Sequence, residues 1–411
     1  METLVERCAG LDVHKATVVA CVRLPGPNGK RSVELREFGT TTPQLLELRD
    51  WLVERQIERV GMEATGVYWK PVYYVLEDAM ECWLLNARHM RNVPGRKTDM
   101  ADAAWIAQLV EHGLVRPSFV PPKPIRELRN LARYRKAQIE ERTREVQRLD
   151  KILQDAGIKL SSVASDLRGV SSRAMLAALV DGQTDGQLLA DLAVGQLRKK
   201  LPQLEAALTG RFSRHHALIV GEMMAKLDYL DQTIDRLSKE VADLIAPFVP
   251  QVQLLDTIPG VDRRMAEALV AEIGVDMSRF GTAARLASWA GLCPGQHESA
   301  GRSRGGKTRR GSKWLRAHLV EAAKAASRTK GTYLSAQYQR LRGRIGHAKA
   351  TVAVAHSILV AAFHILDRME PFFDLGHDWF TRRDNPEMHA RRLLRQLANL
   401  GYHPTVDALA A

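Results

Sequence analysis

The sequence predicts an α/β domain over residues 1–118 followed by a helical remainder. Three observations carry this. Short β-branched runs alternate with amphipathic stretches in the first third of the chain. The run VRPSFVPPKP, residues 115–124, breaks that pattern with four prolines. Beyond it, apolar residues recur at helical spacing.

Residues 8–13 and 16–24 are apolar runs on either side of the polar His14-Lys15, which predicts a hairpin. Residues 31–38 alternate as a third strand. An amphipathic helix near 43–55, a strand at 58–63, a helix near 68–80, a strand at 82–86 and a helix from 99 follow. Three strands, then helix–strand–helix–strand–helix, is the element order of the ribonuclease H-like (RuvC-like) fold.

In the remainder, 125–155 reads as one long helix. It bears Arg126, Arg129, Arg133, Arg135, Lys136, Arg142, Arg144, Arg148 and Lys151. A second long helix carries Met223, Leu227, Leu230, Ile234, Leu237, Val241, Leu244 and Phe248 at alternating spacings of four and three, a coiled-coil seam. Its partner is either the 125–155 helix or another subunit, and the spacing does not choose. Pro247 and Pro250 end it, so 119–250 forms a helical coiled-coil linker. Residues 251–370 form a third segment, and 371–411 a tail with PFFDLGHDWF and the basic Arg391, Arg392 and Arg395, to which the pattern assigns no role.

Sixty Lys and Arg against 47 Asp and Glu give a formal charge of +13, which attracts polyanions, nucleic acid above all. A membrane is the weaker alternative. The longest uncharged stretch, Ala350–Leu366, includes His356 and His364 and is short for a span, so a buried helix is expected. The opening METLVERCAG lacks the pattern of a secretion signal. Cys8, Cys21, Cys82 and Cys293 have no CxxC spacing and are expected to be reduced core residues of a cytosolic protein.

Four carboxylates carry the chemistry. Asp12 lies near the end of the first strand and Glu63 closes the 58–63 strand. Asp99 and Asp102, three apart behind a Thr98 N-cap, share one face of a helix. In a ribonuclease H-like sheet the first and fourth strands are neighbours and the last helix crosses them, so all four acids can converge. Such acids repel unless cations lie between them; two Mg²⁺ ions would satisfy them and activate a phosphodiester.

Residues 254–274 suggest a helix-hairpin-helix. Gly260 permits its turn, backbone N–H groups of the next helix face a phosphate, and Arg263 and Arg264 add charge. A plain packing hairpin is the alternative. Arg302, Arg304, Lys307, Arg309, Arg310 and Lys313 stand among Gly and Ser in a loop suited to phosphate contacts. His14 and His297 flank the proposed sites, and His347, His356 and His364 lie in the last helical region; no pair has metal-ligand spacing beside a further ligand, and most are read as structural.

GLDVHK around Asp12, MEATGVYW around Glu63, KTDMADA around Asp99 and Asp102, IPGV at 258–261 and SWAGLCPGQHESAGRSRGGKTRRGSKWLR at 288–316 occur in that order. Together they resemble the insertion sequence one-ten family of transposases, which pair a DEDD (RuvC-like) domain with a serine-bearing transposase domain. The resemblance implies that the four acids bind Mg²⁺ and that Ser299 is the nucleophile, forming a covalent link to DNA. Ser303 and Ser312 lie in the same loop and compete for that assignment. The resemblance also implies a structured guide RNA, donor and target DNA, a homo-oligomer and a place in the bacterial cytoplasm at the nucleoid. On charge alone, the 125–155 helix is the candidate RNA surface. A junction resolvase that uses water, and a non-catalytic nucleic-acid scaffold, are the competing functions.

Overall fold

The computed structural model describes residues 3–27, 30–64, 66–86, 90, 102–294, 298–299, 302–303, 308, 311–380 and 386–402, with backbone alone at 298–299, 302–303, 386–389 and 392. The chain forms two compact units, Met1–Val120 and Pro121–Ala411.

In the first unit, β1 (Cys8–Val13), β2 (Thr17–Pro25), β3 (Arg31–Gly39), β4 (Arg59–Glu63) and β5 (Glu81–Leu85) form one sheet in the order β3-β2-β1-β4-β5. Strand β2 runs antiparallel to β1 and β3, while β1, β4 and β5 are parallel. The hairpin turn closes with the His14 N–H donating to Thr17 O at 2.9 Å.

Alternation along the strands sorts side chains to two faces. Ala9, Leu11 and Val13 of β1 and Val60 and Met62 of β4 pack with α1 (Thr42–Glu54) and α2 (Trp69–Leu76). The opposite residues face α3 (Asp102–Glu111), whose Ile106, Leu109 and Val110 cluster with Cys8 and Leu85. A Cβ on Gly10 would lie 2.2 Å from Ala103 O, and one on Gly61 2.5 Å from Val110 Cγ2. Only glycine lets the helix backbone lie this close to the sheet.

The last residue of α3, Glu111, is buried and pairs with Arg23 of β2 at 2.8 Å and Arg31 of β3 at 2.5 Å. The thiols of Cys8 and Cys21 are free and buried; burial pushes them up to about 12 and about 11, so they stay protonated. Burial likewise raises Cys82 to about 12.

In the second unit, α4 (Lys123–Asp155) and α8 (Arg214–Ile245) form an antiparallel pair, as the links from Arg142 to Asp231 and from Glu145 to Lys226 show. The coiled-coil seam thus meets the helix of its own chain. Leu227, Leu230, Ile234 and Val241 are buried; Met223, Leu237 and Leu244 are half-buried. Between these helices the chain passes through α5 (Val170–Val180), α6 (Gly186–Asp191) and α7 (Leu201–Leu208).

The rest comprises α9 (Val249–Asp256), α10 (Arg263–Ile273), α11 (Ala283–Trp289), α12 (Lys313–Ala326), α13 (Tyr333–Ile345), α14 (His347–Arg368) and α15 (Pro386–Asn399). Among the described residues α14 is the one helix long and apolar enough to cross a membrane. Its Ala350, Val354, Ile358, Leu359 and Ala362 are buried, and it packs on α9, α11, α12 and α13. It is a core helix of this unit. The start of the tail is also anchored: the Phe372 N–H donates to Thr257 Oγ1 at 2.8 Å, and Phe380 stacks on Tyr333 at 5.1 Å.

Replacing Glu111 by Gln leaves two arginines facing an uncharged amide and is expected to cost about 3–5 kcal/mol. Faster amide exchange across β1–β3 would register the loss. A change below about 1 kcal/mol would mark the pair as effectively solvated.

Candidate active site

Leu11 of β1 pairs in register with Met62 of β4, so the next residues along these parallel strands are Asp12 and Glu63. They stand side by side at the C-terminal ends of adjacent strands. Both share the face of Gly10 and Gly61, the face that α3 covers. Helix α3 runs antiparallel to β1, with Ala103 over Gly10 and Ala107 beside Cys8, so its first residue, Asp102, lies at the same end as Asp12. Three of the four acids therefore gather at one end of the sheet. Asp99 and its Thr98 cap lie outside the described residues.

Asp12 is partly shielded, with 23% of its side chain exposed, and its Oδ2 is 3.1 Å from His14 Nε2. His14, expected to flank this site, touches a candidate ligand. The signal was legible as a spacing of two along an extended segment, which returns a side chain to the same face.

The serine segment of the second unit is built from its base upward. Pro294 bridges to Thr308, and Thr308 Oγ1 accepts a hydrogen bond from Arg316 Nη1 at 2.7 Å. Above this bridge β6 (Glu298–Ser299) pairs antiparallel with β7 (Arg302–Ser303), Ser299 opposite Arg302 and Glu298 opposite Ser303. Part of the expected basic loop thus pairs as two short strands, with Ser299 the last paired residue of its strand. Arg304, Lys307, Arg309 and Arg310 lie outside the described residues, as do the side chains of Ser299 and Arg302.

The hairpin returns to the helical core at Gly311 and Ser312. A Cβ on Gly311 would fall 2.2 Å from Ala290 O, so the returning backbone lies directly on the end of α11. Ser312 caps α12: its Oγ accepts from Leu315 N–H at 3.2 Å and donates to Glu272 Oε2 at 3.1 Å. Glu272 is buried and also receives both Arg133 Nε and Nη2, at 2.7 and 2.8 Å. One carboxylate therefore ties α4, α10 and the end of the serine segment together. Ser312 is occupied as a cap, which distinguishes it from a nucleophile.

Residues 9–158 match a family model bearing the DEDD and IS110 labels and described as a transposase. Residues 252–339 match a second, described as the transposase IS116/IS110/IS902 family. The chain belongs to the IS110 family of transposases. Together the two matches cover more than half of it. No curated protein matches the chain. Membership makes DNA transposition, by cleavage and strand transfer, the activity of the family, with DNA as substrate.

In the IS110-family chain the turn of the expected DNA-binding hairpin makes packing contacts. Gly260 has φ +85°, and a Cβ there would lie 2.4 Å from Ala326 N. The turn is thus pressed onto α12. The start of α10 is capped by Asp262, which accepts from Met265 N–H at 2.8 Å and puts negative charge where a backbone-bound phosphate would sit. The side chains of Arg263 and Arg264 remain outside: Arg263 is 67% exposed and 3.4 Å from Glu267, while Arg264 has no ionic partner among the described residues. Lys313, in the first turn of α12, is exposed, with its ammonium 5.4 Å from the Trp314 ring.

Most basic residues of α4 have partners within this unit. Arg129 donates to the carbonyls of Ala271 and Glu272, Arg135 to Glu267, Arg142 to Asp231, Arg144 to Glu141 and Arg148 to Glu145. Lys123 and Lys151 are the exceptions among the described residues. Arg129, Arg135 and Arg142 tie α4 to α10 and α8, whereas Arg144 and Arg148 pair with acids of α4 itself and stay half exposed.

Lys136, Arg144, Arg264, Glu321 and His318 line a groove of about 530 Å³ between α4, α10 and α12. Burial, with Lys136 nearby, lowers His318 to about 4, so the ring is neutral at pH 7. The unfolded ring titrates near 6.5. The stability it contributes is present above that value and is lost as pH falls toward 4.

Two outcomes follow. The melting temperature should fall between pH 7 and pH 5, and His318→Gln should flatten that slope; an unchanged slope assigns it to other groups. Ser312→Ala should cost about 0.5–2 kcal/mol through the lost cap, with Ser312→Thr restoring most of it, measured by thermal unfolding.

Proposed function

We propose that this chain is the transposase of a bacterial insertion sequence that cuts and rejoins DNA with a carboxylate metal site and a covalent serine. The observation carrying this is the placement of Asp12 and Glu63 at neighbouring strand ends, with Asp102 at the same end. The strand order, with β2 alone antiparallel and α3 crossing β1 and β4, supports a ribonuclease H-like (RuvC-like) domain.

Asp12, Glu63, Asp99 and Asp102 would hold Mg²⁺, for which hard carboxylate oxygens are the suitable donors. When bound, Mg²⁺ supplies positive charge to the phosphodiester and lowers the pKa of a bound hydroxyl. The hydrogen bond from His14 orients Asp12. Ser299 attacks phosphorus: its Oγ–P bond forms as the bond to the leaving nucleoside oxygen breaks, and that oxygen takes up a proton. The phosphoester is conserved, so a strand hydroxyl can displace the serine and rejoin DNA without ATP.

Arg302, Arg304, Lys307, Arg309, Arg310 and Lys313 neutralise phosphates around the serine, and Arg263 and Arg264 add side-chain contacts. Donor and target DNA, a structured guide RNA and further copies of the chain are its partners in the bacterial cytoplasm.

The test is recombination in cells carrying the gene with its native flanking DNA, with donor–target junctions sequenced. Wild type should yield junctions, and Asp12→Ala and Ser299→Ala none. Junctions from Ser299→Ala would overturn the covalent serine and favour cleavage by water. Separately, replacing Arg263 and Arg264 by Ala should reduce the slope of log affinity against log salt by up to about 2. An unchanged slope would limit this hairpin to packing.

A further inference from the structure

Helix α4 ends at Asp155, and α8 begins just after Ser213. The excursion between them closes on itself: Arg211 N–H donates to Ala156 O at 2.7 Å, and a Cβ on Gly210 would lie 2.6 Å from the same oxygen. Beside this closure stand Asp155, His215 and His216. One donor atom from each lies within 4.8 Å of the other two. Ser213 Oγ lies 2.8 Å from His215 Nδ1 and 3.0 Å from His216 Nδ1. His216 is buried, whereas His215 and Asp155 are open to solvent.

His216 Nε2 and Asp155 Oδ2 are 3.2 Å apart. Two such atoms at that distance need a cation between them, a proton or a metal ion. With the proton on Nε2, Nδ1 accepts the Ser213 N–H at 3.2 Å. With the proton on Nδ1, Ser213 Oγ accepts it and Nε2 is bare, the tautomer that a metal requires. Two donors each about 2.0–2.1 Å from a zinc ion at near-tetrahedral angles lie roughly 3.3 Å apart, so the pair already has ligand spacing. The positive N-terminus of α8 opposes a cation, but Asp155 and the negative C-terminus of α4 offset it.

We propose that Asp155, His215 and His216 form a binding site for a divalent transition-metal ion of the zinc class. Two imidazoles and one carboxylate suit zinc and its neighbours and leave a position for water, whereas Mg²⁺ prefers oxygen alone. The site is distinct from the Asp12, Glu63 and Asp102 carboxylates and does not depend on their reading. Its ion clips the base of the 156–213 excursion, and cross-links that close long loops restrict the unfolded chain most.

The full-length chain, stripped with chelator and carrying Asp12→Ala to weaken the carboxylate site, is titrated with zinc chloride by calorimetry and followed by thermal unfolding. One equivalent should bind, raise the melting temperature and resist displacement by Mg²⁺. His215→Ala and Asp155→Asn, both at exposed positions, should each weaken binding at least about tenfold. Absence of binding, or binding that both substitutions leave unchanged, overturns the site. His216→Ala is a secondary variant, because its ring also caps α8.

Discussion

Helix α3 lies with its backbone directly on β1 at Gly10, and the candidate active site depends on that contact. Gly10 admits the backbone of Ala103 and Ala107, and Gly61 admits Val110. One end of the helix is fixed by Glu111, drawn into the sheet by Arg23 and Arg31. The other end carries Asp102 to where Asp12 and Glu63 emerge. A helix held by a buried charge pair at one end and by glycine contacts along its length has little freedom to slide. The acids at its free end are positioned by groups that take no part in chemistry.

The second unit solves a similar problem with a buried carboxylate of its own. Glu272 receives Arg133 from α4 and Ser312 from the end of the serine segment. A buried carboxylate is costly unless paired, and here its partners come from chain segments far apart in sequence. The same pairing logic accounts for the rest of α4. Its arginines meet acids and carbonyls of α8 and α10 or acids of α4 itself, so a helix with a strongly basic sequence contributes less free charge than its composition suggests. The net +13 of the chain must therefore be expressed elsewhere, with Arg264 and Lys313 among the exposed candidates.

Much of the first unit was legible in advance. The strands and helices over residues 8–86 fall within a few residues of expectation, because alternation and helical periodicity are local signals. The coiled-coil seam was equally visible, but its partner was not. A heptad states that a face must be covered and leaves open by what; proximity of α4 in the folded chain supplied the answer. His14 could be read as flanking the site, while its contact with Asp12 depends on how the chain leaves the strand. Gly260 was read for its turn, while its neighbours in space, Ala322 and Ala326, come from another helix.

The sequence alone determined the identity and order of the chemical groups: the acids, the serine, the basic cluster, and the strands and helices that carry them. These follow from residue type and short-range spacing. Tertiary structure decided which charges are available. It buried Glu111 and Glu272 against arginines, paired most arginines of α4, made Ser312 a cap and brought Asp155 beside His215 and His216. Ion pairing and desolvation act through space over a few ångströms, between residues that can stand more than a hundred positions apart, and no local pattern encodes that distance.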